Sequence, residues 1–177
     1  DLYDKDWVIH TKSEERAPAK LGSTAQVHRS LISHGCVIDG TVVNSVLSPG
    51  VRVGVGAVVR DSIVMFDCVI GSRAVVDRAI LDKEVVVGAG AIVGEGPDDP
   101  PNKAEPTRLN TGITVVGKQS VIPRGARIGR NVRIAGGVRP SDFVKRVVPT
   151  GGSVDVAPEV VRARRQGAPT KAKTPAV

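Results

Sequence analysis

Aliphatic residues recur about every six positions through the middle of the chain, usually followed by a glycine or another small residue. The segments Ile70–Val75 and Val87–Ile92 show this pattern most clearly. Longer segments repeat every seventeen residues, since Val51–Gly54 is followed by Cys68–Gly71 and then by Val85–Gly88. Internal repetition of this kind is typical of repeat architectures. A six-residue period predicts a parallel β-helix, in which three short flat faces form each coil.

The composition agrees with this fold. The single aliphatic residue of each hexad would point into a narrow prism and stack on its equivalents about 4.8 Å away in the neighbouring coils. Aromatic rings fit that space poorly, and aromatic residues make up only 2% of the sequence. An antiparallel sandwich would instead show period-two alternation and hairpin turns, and both signals are poor. We therefore predict an all-β fold, a single-stranded left-handed parallel β-helix, with Val87 pointing inward.

Breaks in the pattern divide the chain into three regions. Residues 1–26 have no hexad rhythm and are interpreted as a connector, whereas residues 27–148 form the predicted β-helix. Three prolines between Gly96 and Pro101 interrupt the helix, because proline cannot donate to a strand ladder, and a loop is predicted at 95–110. From position 149 onward glycine, proline, alanine and basic residues dominate. Residues 149–177 are therefore predicted to be a flexible basic tail.

The charge balance narrows the choice of partners. The 177 residues include 25 Lys and Arg against 18 Asp and Glu, a net charge of +7. A basic surface suits nucleic acid, a membrane or phosphorylated small molecules. Nucleic-acid binding would normally place stacking aromatics among the basic residues, and these are missing. No apolar stretch approaches the roughly 18 residues of a membrane span. We expect neither a nucleic-acid nor a membrane partner.

The two cysteines are interpreted as structural. Cys36 and Cys68 are each followed by Val-Ile, which places them in one column of the predicted helix, two coils apart. Two coils correspond to about 9.6 Å, whereas a disulfide needs its Cα atoms within about 7 Å. We expect two reduced, buried thiols, as in a cytoplasmic protein. Without further cysteines or clustered histidines, no metal site is predicted.

One hypothesis drawn from the residues alone is an acyltransferase. In such an enzyme a histidine ahead of a glycine and an aliphatic hexad acts as general base toward an amine or hydroxyl. The segment His34–Ile38 has this form. However, His34 lies in the irregular first turn, which is two residues shorter than the others, and a lone surface histidine is usually only solvated. A purely structural solenoid module is the second alternative, since the open ends of a solenoid need a cap or a partner.

A family resemblance is carried by segments that occur in a fixed order along residues 1–138. They are Asp1–Trp7, Pro18–Lys20, Ser33–Ile38, Asn44–Leu47, Ile80–Lys83, Val93–Glu95, Gly112–Lys118 and Val121–Pro123. Together they resemble the carboxy-terminal domain of glucose-1-phosphate adenylyltransferase. Members of that family join an amino-terminal nucleotide-binding catalytic domain to a left-handed β-helix. They make ADP-glucose from ATP and glucose 1-phosphate for glycogen or starch synthesis.

The resemblance also implies what this chain would lack. Handling of the nucleotide phosphates needs a glycine-rich loop and carboxylates that hold Mg²⁺, and no such loop leading into a helix occurs here. The sequence opens with Asp1 rather than methionine, so we expect a piece of a longer protein that is inactive alone. ATP and Mg²⁺ would then belong to the amino-terminal catalytic domain, its partner.

Regulation and assembly are the roles that the resemblance leaves to this chain. Family members respond to phosphorylated metabolites bound near the β-helix, and their tetramers pack partly through this domain. Lys83 and Lys118 fall where the regulatory cations of the family fall. A lysine ammonium on its flexible stem suits a doubly charged phosphate. Because the predicted loop leaves and re-enters one solenoid, the coils that carry the two lysines are expected to stack directly. The alternative is that both are ordinary solvated surface charges.

Overall fold

The structure, a computed structural model, describes residues 15–158, and the regular structure in this part is almost entirely short β-strand. The strands are β1 (Lys20–Leu21), β2 (Gln26–His28), β3 (Leu31–Ile32), β4 (Val37–Ile38), β5 (Thr41–Val43), β6 (Val46–Leu47), β7 (Arg52–Val53), β8 (Val58–Arg60), β9 (Ile63–Val64), β10 (Val69–Ile70), β11 (Val75–Asp77), β12 (Ala79–Leu81), β13 (Val86–Val87), β14 (Ile92–Glu95), β15 (Thr114–Val116), β16 (Val121–Ile122), β17 (Arg127–Gly129), β18 (Arg133–Ile134), β19 (Val147–Val148) and β20 (Ser153–Val154). A single 3₁₀ turn, Pro140–Asp142, precedes β19 within the described residues.

Strands that follow one another along the chain lie in different sheets. The first sheet has the order β1-β4-β7-β10-β13-β16, the second β19-β17-β14-β11-β8-β5-β2, and the third β20-β18-β15-β12-β9-β6-β3. Every pair is parallel. Three parallel sheets visited in turn make a solenoid of triangular coils, and the predicted left-handed β-helix is confirmed.

The register shows the length of each coil. A regular coil takes seventeen residues, as between β11 and β14, where Val75 lies opposite Ile92. The first coil takes fifteen, since Leu31 lies opposite Val46, which confirms the shorter first repeat. The coil between β12 and β15 takes 35 residues because it contains the loop, yet its strands pair directly. The loop is therefore an excursion from an unbroken solenoid.

Small aliphatic side chains fill the interior of the prism. Val87 is 1% exposed and lies opposite Ile70 and Ile122 in the neighbouring coils, whereas the adjacent Val86 is 37% exposed. The same inward position is buried in coil after coil. The predicted inward column, with Val87 as a member, is correct.

The glycines that follow inward aliphatic residues are required because a Cβ atom there would collide with the backbone of the next coil. A Cβ atom on Gly88 would come within 2.5 Å of the backbone nitrogen of Arg124 in the next coil, and one on Gly117 within 2.5 Å of that of Gly136. Gly56 and other glycines lie in left-handed corners, but several such corners use residues with a Cβ. Tight coil stacking is thus the stronger reason for the hexad glycines.

Serines satisfy the backbone at the corner between the second and third sheets. The Ser45 hydroxyl donates to the Val43 carbonyl (2.7 Å) and accepts from the amide of Ser62 in the next coil (3.1 Å). The Ser62 hydroxyl repeats this, accepting from the Ala79 amide at 3.1 Å. Both serines are buried, so without these bonds the backbone amides would have neither water nor another hydrogen-bond partner.

Two buried asparagines hold the loop, which runs from residue 96 to 113 rather than 95–110. The Asn102 side chain donates to the carbonyls of Asn131 (2.8 Å) and Gly152 (2.7 Å) and accepts from the amides of Ala104 and Glu105. Asn131 in turn accepts from the amide of residue 112 at 2.7 Å. The loop is packed against the later coils instead of projecting away from them.

The β-helix extends beyond 27–148 at both ends. It begins with β1 at Lys20–Leu21, and β20 at Ser153–Val154 pairs with β18, inside the range predicted as tail. Val148 and Val154 are each 8% exposed, so the six-residue spacing of inward valines continues through a glycine- and proline-rich segment. Residues 1–14 of the predicted connector and 159–177 of the predicted tail lie outside the described residues.

The cysteines are free and buried, as predicted. Burial raises the pKa of the Cys68 thiol to about 11 and raises that of Cys36, and each thiol donates weakly to a backbone carbonyl. Both therefore act as small core side chains. No helix among the described residues is long and apolar enough to cross a membrane.

Candidate functional site

One corner of the β-helix, between the third and first sheets, carries all the residues that the sequence suggests for function. Its backbone forms a continuous ladder: the Glu84 amide donates to the Phe66 carbonyl (2.8 Å), and the Gln119 amide donates to the Lys83 carbonyl (2.9 Å). The same bond recurs in the earlier coils. The ladder fixes one column of corner residues in successive coils, which we term the corner column: His34, Pro49, Phe66, Lys83 and Lys118.

Lys83 and Lys118 occupy equivalent positions of adjacent coils. Leu81 lies opposite Val116, and each lysine follows its strand by two residues. Both side chains are exposed. The two lysines thus stand on one edge, separated by a single coil spacing of about 4.8 Å at the backbone. They do not lie on opposite walls of the prism.

Left-handed backbone conformations follow the corner column. Asp67, Glu84 and Gln119 have φ of 56°, 60° and 58°. A residue with a Cβ rarely adopts such values except in a tight turn, and here the turn carries the chain from the third sheet into the first. Each of these polar side chains therefore lies directly beside a residue of the corner column.

The carboxylate of Glu84 lies between the two coils that carry the lysines. It accepts a hydrogen bond from the Gln119 side chain at 2.8 Å and lies 3.9 Å from the Lys118 ammonium. The Asp82 carboxylate accepts from the backbone amide of Lys83 at 2.7 Å. No ion pair engages the Lys83 ammonium within residues 15–158. An incoming anion would thus meet one unengaged ammonium and one held only loosely by Glu84.

In the two coils before Lys83, the corner column carries apolar residues instead of charged ones. Phe66 is 41% exposed, and Pro49 beside it is half-buried. Arg16 forms a bidentate ion pair with Asp67, the residue after Phe66, and this guanidinium lowers the pKa of the Asp67 carboxyl below its ordinary value. Phe66 was not among the residues predicted from the sequence, since the repeat places it one coil before Lys83 but does not show that its side chain is exposed.

His34 begins the corner column, three coil spacings or about 14 Å from Lys83. Its side chain is exposed, and it makes no hydrogen bond or ion pair within residues 15–158. A general base is normally oriented by a neighbouring polar group. The described part of the chain supplies none, so the acyltransferase hypothesis gains no support. Nor does this part contain a metal-binding cluster of three or more His, Cys, Asp or Glu residues.

A second group of charges, on the second sheet, was not anticipated from the sequence. Asp77 is nearly buried and accepts from Arg60 at 2.9 Å and from Arg130 at 3.2 Å. Arg130 also donates to the carbonyl of Gly96 at 2.8 Å, where the loop leaves the solenoid. Because these charges pair with each other, their role here is to fix the start of the loop.

Comparison with known proteins assigns the chain to a family. Residues 17–116 match the model of the GlmU-like C-terminal hexapeptide family. The match covers more than half of the chain and includes the coils that carry Lys83 and the strand before Lys118. The chain belongs to this family.

Its relatives confirm the resemblance drawn from the sequence. The chain is 59% identical to a glucose-1-phosphate adenylyltransferase from Thermomicrobium roseum over 91% of its own length and 38% of that protein. It is 39% identical to one from Acetivibrio thermocellus over 87% of its length and 36% of that protein. The chain thus spans little more than a third of the curated relatives it matches.

The chain was also compared with solved structures. The acetyltransferase domain of PglB from Neisseria gonorrhoeae superposes with a TM-score of 0.41 and 19% identity, covering 81% of this chain and 53% of that domain. This similarity has no bearing on function.

Proposed function

We propose that the chain is the regulatory and assembly domain of a glucose-1-phosphate adenylyltransferase. The catalytic domain, which would use ATP, Mg²⁺ and glucose 1-phosphate, would be its partner in the same enzyme. The chain would bind a phosphorylated metabolite as effector, and this binding would change the activity of the catalytic domain. The single observation that carries the proposal is the placement of Lys83 and Lys118 at equivalent positions of one exposed corner.

The geometry supports a shared anion. Two backbone positions about 4.8 Å apart allow two long side chains to converge on one phosphate. A unit charge pair at 4 Å is worth about 1 kcal/mol in water and more near a protein surface. A doubly charged phosphate would therefore gain several favourable interactions. Without an anion, the repulsion between the two ammonium groups is offset in part by Glu84, which lies 3.9 Å from Lys118.

Glu84 makes the proposal testable in two directions. In the free domain its carboxylate competes with an incoming phosphate for Lys118. Replacing it with a neutral isostere removes this competition and keeps the hydrogen bond to Gln119 possible. Removing either lysine has the opposite effect. The sign of each change follows from charge alone, and a purely structural role for the corner would show neither.

The experiment measures binding of phosphoglycerate to the 177-residue chain by isothermal titration calorimetry at low salt. We expect Lys83→Ala and Lys118→Ala each to raise Kd about fivefold or more, and Glu84→Gln to lower it by a few fold. Lys103→Ala is the matched control, because that lysine is also exposed but lies in the loop. Equal effects of all three lysine changes, or none from the corner lysines, would reject the regulatory assignment.

Assembly is supported by a different surface. Leu31, Val46 and Ile63 form a row along the outer face of the third sheet, where they are 70%, 39% and 44% exposed. Contiguous exposed aliphatic residues on a flat face are typical of protein contacts. We propose that homo-oligomers, tetramers in the whole enzyme, use this face.

A further inference from the structure

Among residues 15–158, Phe66 differs from Phe143 because it is both exposed and part of the corner column. The sequence contains two phenylalanines, one tyrosine and one tryptophan. The other phenylalanine, Phe143, packs against the core, whereas Phe66 is 41% exposed. The phenyl ring of Phe66 is therefore not buried in the interior of the prism. It presents an apolar surface to solvent at a position that the backbone ladder fixes.

The neighbours of Phe66 make the corner column amphipathic along its length. Pro49 precedes the ring, and Met65 beside it is half-buried. One coil further stands Lys83, and two coils further Lys118, at about 4.8 and 9.6 Å along the column. An apolar surface therefore lies one to two coil spacings from the two lysines.

This arrangement matches one class of ligand. Inorganic phosphate or an acyclic phosphate ester can bind the lysines but has no flat or apolar ring that could pack on Phe66. A phosphate ester that carries a ring can do both, through the apolar face of a sugar or the flat face of a nucleobase. Stacking of a base on an aromatic side chain is sequence-tolerant and substantial, since both partners present flat π-faces.

We propose that Phe66 is the specificity-determining residue of this corner and selects phosphate esters that carry a ring over acyclic phosphates. The proposal rests on the function proposed above, because the lysines supply the common anchor. Phe66 adds discrimination: ligands of equal charge are separated by whether their non-phosphate part covers the phenyl ring. Contact with the phenyl ring buries apolar surface away from water, and this contribution is available only to the ring-bearing ligand.

The experiment compares four probes on the 177-residue chain by calorimetry: inorganic phosphate, phosphoglycerate, glucose bisphosphate and adenosine monophosphate. For Phe66→Ala we expect Kd for the ring-bearing probes to rise about five- to tenfold. For the two acyclic probes Kd should stay within about twofold. A loss with glucose bisphosphate alone would identify the sugar as the ring that is recognised, and a loss with the nucleotide alone would identify the base.

Two further variants separate packing from recognition. Phe66→Tyr keeps the flat ring and should restore the wild-type preference, whereas Phe66→Leu keeps apolar bulk without the ring and should not. Thermal unfolding followed by circular dichroism checks that each variant folds, which the exposure of Phe66 leads us to expect. If Phe66→Ala does not fold, the comparison of Phe66→Tyr with Phe66→Leu carries the test.

The outcomes distinguish this inference from the proposed function. If Lys83→Ala and Lys118→Ala weaken all four probes but Phe66→Ala weakens them equally or not at all, the selectivity proposal is overturned and the regulatory assignment stands. If the lysine variants leave phosphoglycerate binding intact, or the wild-type chain binds no probe, both are overturned. A ring-specific loss in Phe66→Ala, together with a general loss in the lysine variants, supports both.

Discussion

Introducing a carboxyl group into the prism tests the fold most stringently. Val87→Asp replaces a side chain that is 1% exposed and enclosed by the equivalent residues of two neighbouring coils. The described core around it is aliphatic, with no cation to pair with the new group. The carboxyl group must therefore be buried in its neutral form or force the coils apart.

The size of the effect follows from two contributions. Loss of the buried valine costs about 2 kcal/mol. Keeping a carboxyl group protonated at pH 7, when its ordinary pKa is about 3.9, costs about 4 kcal/mol at 1.36 kcal/mol per pH unit. The total of about 6 kcal/mol approaches the whole free energy of unfolding of a typical domain. We expect Val87→Asp to be largely unfolded, or to melt far below the wild type, at neutral pH.

The predicted pH dependence has a definite sign. Burial raises the pKa of the new carboxyl group in the folded state, so the folded state binds a proton that the unfolded state releases. The free energy of unfolding of the variant should therefore fall as pH rises from about 4 to 7. Relative to the wild type, the variant should recover about 3 kcal/mol between pH 7 and pH 5.

Urea denaturation followed by far-UV circular dichroism measures these changes. Val86→Asp is the matched control, because Val86 is the preceding residue and is 37% exposed on the outer face. It should cost no more than about 1 kcal/mol and show little dependence on pH. Similar destabilisation by both substitutions, or tolerance of Val87→Asp at pH 7, would refute the assignment of inward and outward columns.

Two further predictions concern the loop and the outer face. Asn102→Ala should lower the free energy of unfolding by about 3 kcal/mol, since it leaves several buried backbone groups unpaired, and should expose the loop to limited proteolysis. Exposed Asn110 gives the control variant Asn110→Ala, which should do neither; comparable behaviour of the pair would contradict the anchoring role. Ile63→Lys should shift sedimentation toward monomer by charging the third sheet, whereas Val86→Lys on the first sheet should not. A wild-type monomer at tens of micromolar would remove the basis of the assembly proposal.

The hexad pattern predicted the fold well because each coil repeats one physical requirement. An inward aliphatic residue followed by a small one recurs in every coil, so the inward position of Val87 and the buried state of Cys68 could be inferred from spacing. The repeat also indicated that Lys83 and Lys118 lie in adjacent coils. A local rule that is applied many times leaves a strong signal in the sequence.

Features that depend on single contacts left no such signal. Asn102 and Asn131 look like ordinary loop and corner residues, yet their side chains hold the loop against the later coils. Strand β20 was not predicted, because the segment near the end of the β-helix is rich in proline and glycine. Val154 nevertheless keeps the six-residue spacing of the inward valines. The seventeen-residue repeat already places Phe66 one coil before Lys83, but the sequence did not show that the Phe66 side chain is exposed rather than packed in the prism.

The corner column can be tested directly by mapping amide chemical shifts of the ¹⁵N-labelled 177-residue chain as phosphoglycerate is added. We predict that the largest shifts centre on the amides of Lys83, Glu84, Lys118 and Gln119, and that they saturate together with one Kd. Lys83→Ala should weaken the response at all four positions. Shifts centred on the arginines of the second sheet, or scattered weakly over the basic surface, would contradict the claim that this corner receives the effector.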